Sequence, residues 1–254
     1  MKRILTLFIA LLVTTLAAFA DAPKGTLVII GGGVTPSGMH RKLLDLAGGT
    51  DAHVLVVPFG KGPEADAAPS VASFGKAGAT HIAVMSADDS KAALAQVQSA
   101  GVIWFSGGKQ SLMMPLLQRL GVVEAIRERH AQGAVLAGSS AGAAIMSKLM
   151  LMGADKTKDG NIVPKFGEAL GVWPEVIVDQ HFVKRGREPR LRAAIQAHPD
   201  LLGVGIDEST FVVVKGGGFE VGGKSTVLVL DSRAGGATKR TELKSGDKFE
   251  WGRK

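Results

Sequence analysis

The sequence predicts an α/β fold, a mostly parallel central sheet between two layers of helices, with antiparallel hairpins gathered toward the C-terminus. Two observations carry that expectation. In the first half, short β-branched or aliphatic runs alternate with longer segments at helical spacing, as in parallel strands covered by helices on both faces. From Val176 onward, short apolar runs follow one another with only glycine or charged turns between most of them, as hairpins do.

The strands can be taken in order. Leu27 to Ile30 is the first and ends at Gly31-Gly32-Gly33. His53 to Val57 is stopped by Pro58, and Ile82 to Met85 and Val102 to Phe105 are wholly apolar, as buried parallel strands tend to be. Ala134 to Ala137 leads directly into Gly138-Ser139-Ser140-Ala141-Gly142. Helices are expected over Met39 to Ala47, Ala65 to Ala77, Asp89 to Ser99, Ser111 to Gln132 with a break near Gly121, and Ala141 to Leu151. The later strands are Val176 to Val178, Gly203 to Ile206, Phe211 to Val214, Phe219 to Val221, Thr226 to Leu230 and Lys248 to Trp251.

At 254 residues and 46% hydrophobic content, the chain can bury one substantial core. Met1-Lys2-Arg3 is a cationic start, Ile4 to Phe19 is nearly all apolar, and Ala18-Phe19-Ala20 supplies the small residues of a signal-peptidase site. The expectation is a signal peptide over residues 1–20, cleavage before Asp21, and a single domain over 21–254 in the periplasm or outside the cell. The apolar run is short for a membrane span, which needs about 20 residues, so no stable membrane anchor is expected. Cysteine is absent, which excludes thiol catalysis, cysteine metal sites and a lipoprotein anchor. The formal charge of +7 brings nucleic acid to mind. With no tyrosine, 5% aromatic residues and no long basic run, neither a stacking platform nor a basic stripe is present. No nucleic-acid partner, cofactor or metal is expected; a homodimer is left open.

Strand, Gly138-x-Ser140-x-Gly142, helix is the layout of a nucleophile elbow, in which glycines permit a tight turn and the serine projects from it. The Ala141 backbone N–H is then placed as one oxyanion donor. By itself the pentapeptide also fits an ordinary strand-to-helix turn with a capping serine. Phe105-Ser106-Gly107-Gly108-Lys109-Gln110 follows the neighbouring strand, and loops at the carboxyl ends of adjacent parallel strands share one crevice. Gly108 N–H is the second expected oxyanion donor, and Gln110 a substrate-orienting group. Serine also needs a base. Of His40, His53, His81, His130, His181 and His198, only His181 sits in a polar string closing a buried strand, Asp179-Gln180-His181-Phe182. It is the expected general base. A dinucleotide fingerprint at Gly31-Gly32-Gly33 fails, because Pro36 stands where its last glycine is required.

Taken together, these strings resemble the cyanophycinase and peptidase E family of serine peptidases, exported cyanophycinase-like members above all. The resemblance continues into Arg185-Gly186-Arg187-Glu188-Pro189-Arg190-Leu191 and Gly203-Val204-Gly205-Ile206-Asp207-Glu208. It implies a fold like that of class I glutamine amidotransferases. It also implies Ser140 as nucleophile and His181 as base, with Gln110, Asp179, Gln180, Arg185, Arg187 and Arg190 at positions linked to substrate binding or catalysis. The implied substrate is an aspartyl peptide, in cyanophycinases a poly-aspartate carrying arginine side groups, released as β-Asp-Arg dipeptides. Guanidinium forks suit carboxylates of that kind, although the same cluster also reads as a solvated helix start. For the acid of the triad, Asp155 has the spacing that peptidase E relatives suggest, with Asp159, Glu168 and Asp179 as alternatives. Two departures are Ser139 in place of the usual threonine and Lys109 where asparagine is common.

Overall fold

The computed structural model describes residues 24–251. The expected signal peptide lies outside the described residues. In chain order the first half contains β1 (Leu27–Ile30), α1 (Met39–Leu46), β2 (Val54–Val57), α2 (Ala68–Lys76), β3 (Ile82–Val84), α3 (Ser90–Ser99), β4 (Val102–Phe105), α4 (Gln110–Arg119), α5 (Val123–Ala131), β5 (Val135–Ser139) and α6 (Ala141–Ala144). The second half contains β6 (Leu149–Lys156), β7 (Ile162–Glu168), β8 (Val176–Gln180), α7 (Glu188–Ala197), β9 (Leu202–Ile206), β10 (Thr210–Lys215), β11 (Gly218–Gly223), β12 (Val227–Asp231), β13 (Lys239–Leu243) and β14 (Lys248–Glu250).

The large sheet runs β14-β11-β10-β1-β5-β4-β2-β3. Its β1, β5, β4, β2 and β3 are parallel, and β10, β11 and β14 extend it antiparallel. Because strand side chains alternate between faces, Val28 and Ile30 of β1 pack with Met39, Leu43, Leu44 and Phe74 of α1 and α2. Leu27 and Ile29 face the opposite way, into a core with Met113, Leu117 and Ile126 of α4 and α5. Burying each such side chain contributes about 1.5–3 kcal/mol, which explains why these strands contain no charged residue. The expected break at Gly121, whose φ is 69°, separates α4 from α5.

A second sheet, β13-β12-β9-β8, packs against the same core through Val176, Val178, Val204, Ile206, Val227 and Val229. Its other face is covered by α7, through Leu191, Ala194 and Ile195. Within it β8 and β9 are parallel, with Gln180 opposite Ile206, so both strands end at the same edge. The architecture is α/β with a large, mostly parallel sheet and antiparallel C-terminal strands, as the sequence predicts. Two local expectations fail. The helix after the elbow stops at Ala144, and Leu149 to Glu168 forms the β6–β7 hairpin. Just beyond the helix, Ser147 is engaged by other elements: its backbone bridges to Trp173 and its buried hydroxyl accepts the Val178 amide at 2.9 Å. The unforeseen edge strand β13, Lys239-Arg240-Thr241-Glu242-Leu243, buries only Leu243 and so lacks the apolar run that marks a strand.

Candidate active site

Ser140 follows β5, at the carboxyl end of the parallel sheet, in a backbone conformation of φ 55° and ψ −109°. Such a conformation costs a non-glycine residue about 1–3 kcal/mol and persists only where surroundings impose it. Here the Ser140 amide donates to Ile30 O at 3.0 Å, and its carbonyl accepts from Ala143 and Ala144 at 3.0 and 3.1 Å. The flanking glycines are sterically required. A Cβ on Gly138 would lie 2.3 Å from Gly142 O, and one on Gly142 would lie 2.2 Å from Phe105 O. The turn is therefore an elbow that only this glycine pattern permits.

His181 follows β8 and also has a positive φ, 49°. Its amide donates to Gly31 O at 2.7 Å, which draws the end of the second sheet onto the end of β1. Gly32 makes room for the ring: a Cβ there would sit 2.4 Å from His181 Cε1. His181 Nε2 lies 2.8 Å from Ser140 Oγ, and Nδ1 lies 2.6 Å from Glu208 Oε1. An ionised carboxylate only accepts, so Nδ1 carries the proton and Nε2 is left to accept the serine hydroxyl. Among the described residues, the non-glycine residues with positive φ are Ser140, His181 and Ser209. Backbone strain thus collects at the serine, the histidine and the residue after Glu208.

The carboxylate that meets His181 is Glu208, where the expectation was Asp155. Asp155 is on the β6–β7 hairpin, its side chain 63% exposed, and it pairs with Lys165 at 2.7 Å. Asp159 is exposed in the turn of that hairpin, and Glu168 at its end accepts from Gln118 Nε2 at 2.9 Å. Asp179 has no exposed side-chain surface and is taken by two arginines. Glu208 lies outside the Ser140-to-His181 interval that contains Asp155, Asp159, Glu168 and Asp179, yet the sequence carries a signal for it. Glu208 lies just past a buried strand, as His181 does, and the two strands are parallel neighbours. The remaining histidines are engaged elsewhere. His40 packs on Phe74 and Trp104 and is held below its ordinary pKa by burial. His130 Nδ1 contacts Ala134 O at 3.2 Å, with burial again lowering its pKa. His53 and His81 pair with each other, and His198 packs on Phe166.

The loop after β4 borders the serine. A Cβ on Gly107 would be 3.6 Å from Ser140 Cβ, and Gly108 crosses Gly60 so closely that its Cβ would lie 2.2 Å from Gly60 O. Lys109 N–H donates to that same carbonyl at 2.6 Å. The loop is pinned by a glycine-on-glycine crossing next to Ser140. Gln110 is placed differently from the expectation of a free substrate contact, because its side-chain amide donates to Leu151 O at 3.1 Å and ties α4 to β6.

The arginine cluster divides into two kinds. Arg190 donates through Nε to Asp179 Oδ2 at 2.7 Å and through Nη2 to Oδ1. Arg187 Nη1 donates to Gln180 O at 2.5 Å and to Gln180 Oε1 at 2.8 Å, with Asp179 Oδ1 at 3.4 Å. Burial, with Arg190 and Arg185 nearby, pushes the Arg187 pKa down to about 10 despite the attraction of Asp179. Asp179 and Gln180 are buried and hold arginines, so the expectation that they touch substrate is corrected for Asp179, which has no accessible surface to offer. Arg185 is exposed one turn beyond the histidine, its amide donating to His181 O at 3.1 Å. The Gly31-Gly32-Gly33 loop, which fails as a dinucleotide fingerprint, is taken up by packing against His181 and Glu208. Gly32 abuts His181, and Gly33 abuts Glu208.

Comparison with known proteins places the chain in a family. The model of peptidase family S51 matches residues 27–222. A cyanophycinase from Geminocystis herdmanii is 34% identical over 236 residues, covering 88% of this chain and 87% of the relative. One from Trichormus variabilis is 33% identical over 224 residues, 83% and 75% of the two chains. A peptidase E from Salmonella arizonae is 27% identical over 167 residues, 62% of this chain and 69% of the relative. Among solved structures, a peptidase from an acI-B1 actinobacterium shares the fold, with TM-score 0.67 and 22% identity over 92% of this chain and 99% of that one. The chain belongs to peptidase family S51 and is a serine peptidase.

Proposed function

We propose that the chain is an exported serine exopeptidase that hydrolyses aspartyl peptide bonds through an acyl-enzyme on Ser140, with cyanophycin or a related aspartyl polymer as substrate. The observation that carries this reading is the relay Ser140–His181–Glu208, at 2.8 and 2.6 Å. His181 Nε2 takes the hydroxyl proton as Oγ attacks the carbonyl carbon, and then returns it to the leaving amine. Glu208 fixes the tautomer and stabilises the imidazolium. The backbone N–H groups of Gly108 and Ala141 receive the developing oxyanion, from loops already pinned beside the serine. Water then releases the acyl group by the reverse proton path. No cofactor enters any of these steps.

Recognition of the aspartyl substrate is assigned to Arg185, with the edges of Arg187 and Arg190 that Asp179 leaves over, and to Gln180 at the margin. Two guanidiniums share one buried carboxylate, which leaves an excess of positive charge beside the histidine. The curated relatives named cyanophycinase, matched over more than four-fifths of this chain, support the polymer as substrate. The cationic, apolar and small-residue segments of the N-terminus support export. The test is product analysis after incubation with cyanophycin and, in parallel, with short α- and β-aspartyl peptides. Release of β-Asp-Arg from the polymer is expected; cleavage of dipeptides alone would replace the polymer reading with a peptidase E-like one. Inertness toward all of them would reject the reading.

A further inference from the structure

Glu208 is not held in place by burial of its own side chain, which is 31% exposed, yet it must keep its oxygen 2.6 Å from His181 Nδ1. Something else has to fix the two loops against each other. The residue before it, Asp207, is 7% exposed and faces away from the imidazole contact into the backbone of both loops. Its Oδ1 accepts the Lys184 amide at 2.9 Å, and its Oδ2 accepts the Ser225 hydroxyl at 2.7 Å. The backbone amides of Val183 and Glu208 also favour the ionised form of this carboxylate. Val183 and Lys184 belong to the turn that begins at His181, and Glu208 is the acid itself. Ser225 extends the network, since its amide donates to Thr210 Oγ1 at 2.9 Å, and Thr210 Oγ1 donates to Glu208 O at 3.1 Å.

Resting on the Ser140–His181–Glu208 reading, we infer that Asp207 is a positioning residue: its carboxylate ties the loop of the base to the loop of the acid and so sets their contact. Burial by itself would raise the Asp207 pKa, but the hydrogen bonds it accepts outweigh that and hold it below the ordinary value. The group is therefore ionised, as an acceptor of several N–H and O–H bonds must be. An amide in its place offers one acceptor oxygen and an NH2 that faces donors. The two loops then lose their shared anchor while the Ser140–His181–Glu208 side chains remain.

The test is Asp207→Asn. We expect kcat on the cleaved aspartyl substrate to fall by roughly 10- to 100-fold with KM within about twofold, the loss that a misplacement near 1 Å produces. The second readout is the downfield proton resonance of the His181 Nδ1–H bond to Glu208, which should broaden or disappear. A side chain that only supports the fold would leave that resonance and the kcat of the folded fraction untouched. Wild-type kcat with an intact resonance would overturn the inference. If D207N does not fold, Ser225→Ala decides, since it removes one bond to the carboxylate: a lower kcat at unchanged KM supports the role, and wild-type kcat rejects it. Labelling of wild-type Ser140 by a fluorophosphonate separates the two levels. A labelled enzyme with an indifferent D207N rejects only the positioning role, whereas an unlabelled wild type rejects the relay beneath it.

Discussion

The large sheet and the smaller one meet at Ser140, and they build their parts of the site by different means. On the large sheet, the serine and its glycine loop depend on local chain geometry: Gly138 and Gly142 allow the elbow, and Gly60 and Gly108 cross beside it. On the smaller sheet, the base and acid come from two strands, β8 and β9, that are separated in sequence by α7 and aligned by parallel pairing. The first arrangement is a short motif. The second is a register, and it holds only if both strands and the loops beyond them stay fixed relative to β1. His181 N–H to Gly31 O and Ser209 N–H to Gly32 O, at 2.7 and 2.9 Å, are among the bonds that join the two halves.

That contrast can be broken most sharply at the acid. Glu208→Gln should lower kcat by about 10²- to 10⁴-fold, because a neutral partner neither holds the tautomer nor stabilises the imidazolium. Asp155→Asn should leave steady-state hydrolysis unchanged, since that carboxylate pairs with Lys165 on the hairpin. A collapse of activity in D155N with a normal E208Q would reverse the assignment. The seam between the halves is next. Gly32→Ala places a Cβ into the imidazole at a φ of 102°, and a loss of about 100-fold in kcat is expected from the displaced base. Wild-type turnover in that variant would show that the seam is not rigid. The smaller sheet should also show its dependence on buried charge. Asp179→Ala leaves Arg187 and Arg190 without their carboxylate, and a destabilisation of about 3–5 kcal/mol is expected in urea unfolding. Arg185→Ala, by contrast, should leave the midpoint unchanged and raise KM severalfold, the least of these effects, because the residue is exposed and stands beside the histidine.

The same contrast explains what could be read from the sequence. The five parallel strands, the break at Gly121 and the elbow are recorded in contiguous residues, through apolar runs and glycines whose purpose is local. His181 is legible because polar residues close a buried strand there. Glu208 obeys the same rule at the end of β9, but the spacing that peptidase E relatives suggest points to Asp155, before His181 in the chain. Nothing in a single strand says which neighbour it pairs with, so the parallel alignment of β8 and β9 was out of reach. The arginines illustrate the other limit. Their number and spacing suit carboxylate binding, yet the partner that Arg190 and Arg187 hold is Asp179 of the same chain, and only packing reveals which carboxylate is met. The Gly31-Gly32-Gly33 loop likewise has a purpose set by a distant element, the seating of His181 and Glu208.

The relay itself is tested most directly by labelling with a fluorophosphonate, followed by mapping of the modified residue. The account predicts rapid, single-site modification of Ser140, none in Ser140→Ala despite an unchanged fold, and much slower modification in Glu208→Gln with D155N like the wild type. Unlabelled Ser140 in folded wild-type protein, or labelling at wild-type rate in E208Q, would contradict it.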